Sequence, residues 1–292
     1  MPQAHIDAER LADFAHSDQS GDNRLMNVRF VLRGTLLAIV AVLLTLTAVL
    51  LLTESGRQLL PSLPPVIPAV PTLTAPRGAL PTASVGLVEW TRYGAGNYRP
   101  VGRGFLFRLP GGQIVGVTTA HSLSFNSQPP LRNIALAQGE WSQPVIEFDV
   151  LRGEPGLART GEDMTIDYVL LDVPDDHPID PALILDPDPR GLPQAGERVA
   201  LYSLSAGQPR VFQGAVLSVD PGAVWVVMDE AFDPSGLSGS PFLSQHTGKV
   251  IGMAIAATKR GDKVLLGLHP IVSLVEKAKA ALTFPKIADY RR

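Results

Sequence analysis

The sequence predicts an all-β domain, either a barrel or a sandwich, that ends in a single docked helix. The main observation is a series of short runs rich in Val, Ile, Leu and Phe, separated by Gly and Pro, which is typical of many short strands. The predicted strands are Val85–Trp90, Gly104–Leu109, Ile114–Thr118, Tyr168–Val173, Arg198–Ser203, Val211–Val219, Ala223–Met228, Val250–Ala256 and Val264–Leu268.

Helical periodicity occurs only near the end of the chain, over residues 271–283. Apolar residues recur there at spacings of three and four, so they share one face of a helix, and the charged residues fall elsewhere. The apolar face consists of Ile271, Leu274, Val275, Ala278 and Leu282. We therefore expect an amphipathic helix that packs on the β domain.

The composition excludes several classes of protein. Of the 292 residues, 45% are apolar, which is enough for a sizeable core. Lys and Arg total 25 against 28 Asp and Glu, so the net charge of −3 gives no field that attracts phosphate backbones, and nucleic acid is not an expected partner. The absence of cysteine excludes disulfides, thiolate metal sites and cysteine nucleophiles.

Three unlike segments precede the β domain. Residues 1–33 are polar and predict a solvated cytoplasmic tail. Residues 34–53 carry no charge and, at helical rise, are long enough to cross a bilayer, so they predict one transmembrane helix. A cleaved signal peptide is the alternative, but its apolar region is usually shorter, about 7 to 15 residues. Residues 54–82 contain seven prolines and predict an extended stalk.

Basic residues near the predicted span indicate its orientation. Arg24, Arg29 and Arg33 precede the span and only Arg57 follows it closely. Because positive charge favours the cytoplasmic side, we expect a single-pass protein of the cell membrane with a cytoplasmic amino terminus. The β domain at residues 83–292 would then be extracytoplasmic.

Residues 236–241, with the sequence Gly-Leu-Ser-Gly-Ser-Pro, are the most informative motif. Two glycines around a serine allow a tight turn that exposes the hydroxyl and directs backbone N–H groups to one point, as acyl transfer requires. Two further stretches accompany the motif. One apolar strand runs into His121, and Asp167 opens another apolar run.

In this order, His121, Asp167 and Ser238 resemble the catalytic residues of the trypsin-like serine peptidases. The resemblance is closer to the bacterial HtrA-type branch. The segments that are similar to that branch are 102–106 before the histidine, 195–199 at the start of a second barrel, 248–253 after the serine and 268–275 before the final helix. No PDZ domain is expected after the peptidase domain.

The resemblance implies a double six-stranded β-barrel, with barrels at about 83–190 and 191–270. It also implies a serine endopeptidase in which Ser238 attacks the peptide carbonyl, His121 transfers the proton and Asp167 orients the imidazole. The N–H groups of Gly236 and Ser238 would form the oxyanion hole. The substrate would be a protein or peptide, and neither a metal nor an organic cofactor is required.

Alternatives remain open for two of these roles. Asp163 and Asp172 lie near Asp167, and Ser235 and Ser240 lie near Ser238, but none of them matches the motif as well. Two residues depart from the digestive branch. Leu237 replaces the aspartate that pairs with a new amino terminus there, and Ser240 replaces a glycine. These departures leave open a second function, a catalytically inactive domain that binds or senses peptides outside the cytoplasm.

The substrate pocket is expected from position alone. Its floor would lie near Phe232 and Asp233 and one wall near Ile255, Ala256 and Ala257. Apolar walls favour an uncharged substrate side chain, whereas an inward Asp233 would select a basic one. A separate stretch of acidic residues at 172–188 does not match the spacing of an EF-hand calcium loop, so we interpret it as a solvated loop that joins the two barrels.

Overall fold

The computed structural model describes residues 78–140, 142–205 and 208–292. They belong to one compact unit, Val66–Arg292. The predicted tail at 1–33, the predicted membrane span at 34–53 and all but the end of the predicted stalk lie outside the described residues. Across the described ranges, no helix has both the length and the apolar character needed to cross a bilayer.

A seven-stranded sheet forms the first half of the unit. Its main path runs β5-β4-β1-β2-β3-β6, and β7 pairs in parallel with β2. Its strands are β1 (Leu87–Tyr93), β2 (Arg99–Arg108), β3 (Ile114–Thr118), β4 (Leu131–Ala137), β5 (Pro144–Phe148), β6 (Val169–Asp172) and β7 (Ile184–Leu185).

A closed six-stranded barrel forms the second half. The order around the barrel is β10-β13-β12-β11-β8-β9, and every pair is antiparallel. Its strands are β8 (Arg198–Ser205), β9 (Gln208–Asp220), β10 (Ala223–Met228), β11 (Pro241–Ser244), β12 (Val250–Arg260) and β13 (Lys263–Pro270).

The two halves share one strand order. In each, the first strand pairs with the second and the fourth, the second with the third, and the third with the sixth. Of the two predicted six-stranded barrels, the second is confirmed as a closed barrel, whereas the first half is an open sheet of seven strands with no regular closing ladder. After β5 the chain meets β6 in a short irregular contact: Leu151 bridges Leu171, the Arg152 N–H donates to the Leu170 carbonyl at 2.9 Å, and the Asp172 N–H donates to the Val150 carbonyl at 3.1 Å.

The C-terminal segment, residues 281–292, pairs with the chain that follows β5. The Leu151 N–H donates to the Pro285 carbonyl at 2.9 Å, and the Ile287 N–H donates to the Asp149 carbonyl at 2.8 Å. Residues 149–153 therefore bond to the C-terminal segment through residues 149, 151 and 153, and to β6 through residues 150 and 152.

Three apolar clusters hold the unit together. One fills the first sheet around Phe148 and a second fills the closed barrel around Phe242. The third combines residues of both halves, such as Phe105 and Met253, with the buried face of the helix. Helix α1 (Ile271–Ala280) ends three residues before the predicted end. The prediction that Leu282 lies on its buried face is wrong, because the chain is extended there and Leu282 is 90% exposed.

Candidate active site

His121 and Asp167 form a hydrogen-bonded pair at the ends of neighbouring strands. His121 follows β3 by three residues, and Asp167 closes a 3₁₀ turn just before β6. Because Thr118 of β3 pairs with Val169 of β6, the two segments meet at one edge. The imidazole Nδ1 lies 2.7 Å from Asp167 Oδ2. The carboxylate is fully buried, whereas the imidazole is about one-third exposed.

The remaining acceptor positions of Asp167 are filled by backbone donors. Its Oδ1 accepts the N–H groups of Ala120 at 2.7 Å and His121 at 3.1 Å, and its Oδ2 also accepts the Arg159 N–H at 3.1 Å. Burial alone would raise the pKa of Asp167, but the His121 side chain and these donors outweigh it and hold the pKa below its ordinary value. The carboxylate is thus ionised and fixed in position.

The two rival aspartates occupy other positions. Asp163 caps the 3₁₀ turn, where it accepts the Thr165 N–H at 2.8 Å. Asp172 lies at the far end of β6 and pairs with Arg152 at 3.0 Å. Neither is a recorded partner of His121 in the described part of the chain.

Ser238 lies half-buried in the turn between β10 and β11. Its carbonyl accepts the Arg103 N–H at 2.9 Å, which fixes the turn to β2. Its hydroxyl lies 3.5 Å from the Ile255 carbonyl of β12. Among the described residues, the structure records no hydrogen bond between the Ser238 hydroxyl and His121.

The turn that carries Ser238 (the serine turn) and the turn that carries His121 (the histidine turn) nevertheless meet above Gly102 of β2. A Cβ atom on this glycine would lie 3.5 Å from Ser122 Cβ and 3.6 Å from the Ser238 carbonyl oxygen. Ser122 directly follows His121 in the chain. The structure therefore brings the backbone of the predicted nucleophile next to the turn that carries His121.

Two backbone donors of the serine turn have no recorded acceptor among the described residues. The N–H groups of Leu237, Gly239 and Ser240 donate to the carbonyls of Pro234, Ala254 and Leu237. In the described ranges, no acceptor is recorded for the N–H of Gly236 or Ser238. Gly236 has a φ of +73°, a conformation that favours glycine. Unpaired, exposed donors on a glycine turn suit a negatively charged oxygen.

The neighbouring polar residues of this turn are engaged elsewhere. The Ser240 hydroxyl is fully buried and donates to Ser203 at 2.9 Å, and the Ser235 hydroxyl donates to Asp233 at 2.8 Å. Leu237 packs in the apolar cluster of the closed barrel. Of the three serines in residues 235–240, Ser238 is thus the one whose hydroxyl has no recorded hydrogen bond to another side chain of the described residues.

The five residues predicted to form a substrate pocket differ in burial and in contacts. Phe232 stacks on Phe212 with ring centroids 4.3 Å apart. Asp233 is exposed and accepts the Ser235 N–H, and this bond and the Ser235 hydroxyl lower its pKa. The side chain of Ile255 is buried in the cluster between the two halves, so only its backbone faces Ser238. Ala256 is half-buried and Ala257 exposed, next to Ile255 on β12.

The sequence reasoning missed one buried acid beside the site, Glu89 of β1. It is fully buried and accepts hydrogen bonds from Thr118 at 2.7 Å and Ser122 at 2.8 Å. The available signal was an acidic residue inside the apolar run 85–90. In the described part of the chain, no cluster of three or more His, Asp or Glu side chains is placed to hold a metal ion.

Comparisons with known proteins give similarity to solved structures only. No family model and no curated protein matches the chain. Tobacco etch virus protease with bound product is 16% identical, with a TM-score of 0.47 over 75% of this chain and 87% of that one. A human astrovirus serine protease is 16% identical, with a TM-score of 0.42 over 66% of this chain and 91% of that one.

The protease domain of MamO from Magnetospirillum magneticum is 21% identical, with a TM-score of 0.42 over 67% of this chain and 97% of that one. All three similarities are distant. Function is therefore inferred from the geometry of the site.

Proposed function

We propose that this chain is a serine endopeptidase with a trypsin-like fold of the HtrA type, in which Ser238, His121 and Asp167 hydrolyse peptide bonds. The observation that carries the proposal is the buried, ionised Asp167 bonded at 2.7 Å to His121, which lies beside a glycine turn with a serine and unpaired N–H groups. The duplicated strand order of the two halves supports it.

Each residue has a defined role in this mechanism. Asp167 keeps the proton of the imidazole on Nδ1, so Nε2 is free to accept the proton of the Ser238 hydroxyl. The Ser238 oxygen attacks the peptide carbonyl, and His121 returns the proton to the leaving amine. Water then hydrolyses the acyl-enzyme with His121 again as the base.

The attack requires a change in the Ser238 side chain. Its hydroxyl lies 3.5 Å from the Ile255 carbonyl, so the mechanism requires a rotation about χ1 that brings it to His121 Nε2. Such a staggered rotation is inexpensive for an unbranched serine side chain. The negative charge on the substrate oxygen would be stabilised by the N–H groups of Gly236 and Ser238.

The edge of β12 supports a peptide substrate. β11 pairs with β12 only as far as Met253, whereas β13 pairs with β12 as far as Arg260. Residues 256–260 thus have a recorded strand partner on one side only, and they directly follow Ile255, whose carbonyl lies next to Ser238. An extended peptide could pair with this free edge by backbone hydrogen bonds. Phe232 and Ala256 would then favour an uncharged side chain before the cleaved bond.

Cleavage of a peptide library by the purified domain tests the proposal. We expect new amino termini to appear with the wild-type protein and not with Ser238→Ala. Ser240→Ala is the matched control, because it removes a neighbouring hydroxyl bonded only to Ser203 among the described residues. Equal cleavage by wild type and Ser238→Ala would refute the mechanism. Absence of cleavage by folded wild-type protein would favour the peptide-binding alternative.

We also propose, from the sequence alone, that residues 34–53 anchor the peptidase domain to the cell membrane with the domain outside the cytoplasm. Protease treatment of intact cells and of inverted vesicles tests this orientation with a C-terminal tag. The proposal predicts digestion of the tag only in intact cells whose outer surface is accessible. Digestion only in inverted vesicles would show the opposite orientation.

A further inference from the structure

Glu89 has an unusual environment for a carboxyl group. It lies within β1, pairs with Gly102 of β2 and with Leu136 of β4, and is fully buried. Its Oε2 lies 2.7 Å from the Thr118 hydroxyl and 2.8 Å from the Ser122 hydroxyl. Its Oε1 has no hydrogen-bond partner among the described residues. Thr118 and Ser122 flank His121, three residues before it and one after it.

The carboxyl group lies beneath the place where the two active-site turns meet. A Cβ atom on Gly102 would be 2.7 Å from Glu89 Oε2 and 3.6 Å from the Ser238 carbonyl oxygen. A side chain at position 102 would therefore collide with the carboxyl group. The glycine provides the space in which Glu89 contacts the histidine turn.

The charges around Glu89 do not neutralise it by direct contact. His121 and Arg103 act on it electrostatically, but the Arg103 guanidinium donates to the Gly102 carbonyl at 2.9 Å and lies 3.6 Å from Glu140. Apolar Leu136 faces it from β4. Burial raises the pKa of Glu89 to about 7, against weaker opposing effects of Thr118, Ser122, His121 and Arg103. The group is therefore protonated over much of the range below neutrality.

The neutral and the ionised forms of Glu89 allow different hydrogen bonds with Thr118 and Ser122. The Thr118 hydroxyl also lies 2.8 Å from the Arg103 carbonyl, and the Ser122 hydroxyl lies 2.9 Å from the Thr119 carbonyl. Each hydroxyl has one proton. When Glu89 is neutral, three protons serve these four contacts: the carboxyl group donates to one hydroxyl, that hydroxyl donates to its carbonyl, and the other hydroxyl donates to Oε2 or to its own carbonyl. An ionised Glu89 has only acceptors, so it draws both hydroxyl protons away from the backbone.

We propose that Glu89 is a positioning residue of the active site, whose neutral carboxyl group fixes the turn that carries His121 through Thr118 and Ser122. This inference depends on the proposed peptidase function. Ionisation of Glu89 rearranges the hydrogen bonds on both sides of His121 and places a negative charge behind it. The activity of the enzyme therefore responds to a second ionisation besides that of the imidazole.

Three variants of the full chain test the role of Glu89. Glu89→Gln keeps the shape and the donor but cannot ionise, whereas Glu89→Leu fills the space without a polar group. Thr91→Val is the matched control, because Thr91 is buried on the same strand and its hydroxyl has no partner in the described ranges. The measurements are kcat and KM from pH 5 to 9 and the low-field NMR signal of the proton on His121 Nδ1.

We expect wild type and Thr91→Val to show two steps in the pH profile of kcat, one from the imidazole and one near pH 7 from Glu89, and we expect Glu89→Gln to lack the second. Glu89→Leu should lower kcat roughly tenfold with little change in KM, as loss of one hydrogen bond implies. Superimposable pH profiles of wild type and Glu89→Gln, or an unchanged kcat in Glu89→Leu, would overturn the inference. The NMR signal separates the two proposals. If wild type proves inactive but its signal shows a step that Glu89→Gln lacks, only the peptidase function fails.

Discussion

At the residue scale, Asp167 is the side chain of the candidate site that is held by the largest number of recorded hydrogen bonds. Three backbone N–H groups and one imidazole nitrogen surround a carboxylate that is shielded from solvent. Such a carboxylate is stable only in the ionised form, because each neighbour donates. This arrangement suits the orientation of an imidazole and not proton exchange with water.

Replacement of Asp167 by Asn should therefore lower kcat by about 10⁴-fold, since an amide favours the wrong tautomer of the histidine. The measurement is the rate of peptide cleavage, together with the unfolding curve to show that the variant folds. Asp163→Asn is the control and should remain within a few-fold of wild type, because an Asn oxygen can still accept the Thr165 N–H. A loss of only a few-fold in Asp167→Asn would show that another carboxylate orients His121.

Glu89 makes a separate prediction about stability. Its pKa is about 7 in the folded protein and 4.5 ordinarily, so the folded state binds more protons between these values. The free energy of unfolding should thus fall as pH rises from 4.5 to 7, by about 3 kcal/mol in total, and the contribution is lost above pH 7. The difference between wild type and Glu89→Gln in urea unfolding at several pH values measures this effect. A difference that does not change with pH would contradict it.

The site residues differ in how far the sequence predicts them. Ser238 lies in a glycine motif, and His121 and Asp167 adjoin apolar runs, so pattern and order were sufficient to select them. Glu89 carries no such motif. Its role depends on Thr118 and Ser122, which reach it only after β1, β2 and β3 pair. Contacts between residues distant in the sequence cannot be obtained from local pattern.

At the scale of elements, the serine turn depends on one glycine more than on the other. A Cβ atom on Gly239 would lie 1.8 Å from the Arg103 carbonyl oxygen, whereas a Cβ atom on Gly236 would have no atom within 4 Å. Both residues have positive φ, at +92° and +73°. Gly239 therefore allows the turn to lie against β2. At position 236, glycine is favoured only because φ is positive there.

Gly239→Ala should separate the serine turn from β2 and abolish peptide cleavage. Gly236→Ala should cost only the strain of a side chain at positive φ, about 1 kcal/mol, and it should retain more activity and a higher melting temperature. Calorimetry and cleavage assays of the two variants measure both effects. Equal losses in the two variants would show that close packing on Arg103 is not required.

The strands missed by the sequence have identifiable features. β4 contains Arg132 and Asn133, β5 begins with Pro144, β7 has two residues, and β11 directly follows the glycine motif. Polar residues, proline and short length all weaken the local strand signal. Pairing with strands on both sides compensates for the weak local signal of β4 and β11. β4 lies between β1 and β5, and β11 lies between β8 and β12. The nine predicted runs correspond to the remaining strands, in which the apolar sequence is more continuous.

At the scale of the whole molecule, the C-terminal segment connects the closed barrel and helix α1 back to the first sheet. It forms backbone bonds with residues 149–153, and the buried Ile287 joins the apolar cluster of that sheet. Arg292 donates to the Pro155 carbonyl at 3.0 Å, in the loop that leads to Arg159. The segment therefore supports the loop whose backbone binds Asp167.

Ile287→Ala should destabilise the protein by about 2–5 kcal/mol, because it leaves a cavity in the core of the first sheet. Leu282→Ala is a matched control in the same segment and should change stability by less than about 0.5 kcal/mol, since Leu282 is 90% exposed. Chemical unfolding of both variants gives the two values. Similar values for the two would show that the segment does not pack as described.

The proposed function requires that folding makes Ser238 a nucleophile activated by His121. Reaction with a fluorophosphonate, followed by mass spectrometry of the intact protein and its peptides, tests this claim most directly. We predict one adduct per chain, located on Ser238, retained in Ser240→Ala and strongly slowed in His121→Ala. An adduct on another residue, or folded wild-type protein that does not react, would contradict the account.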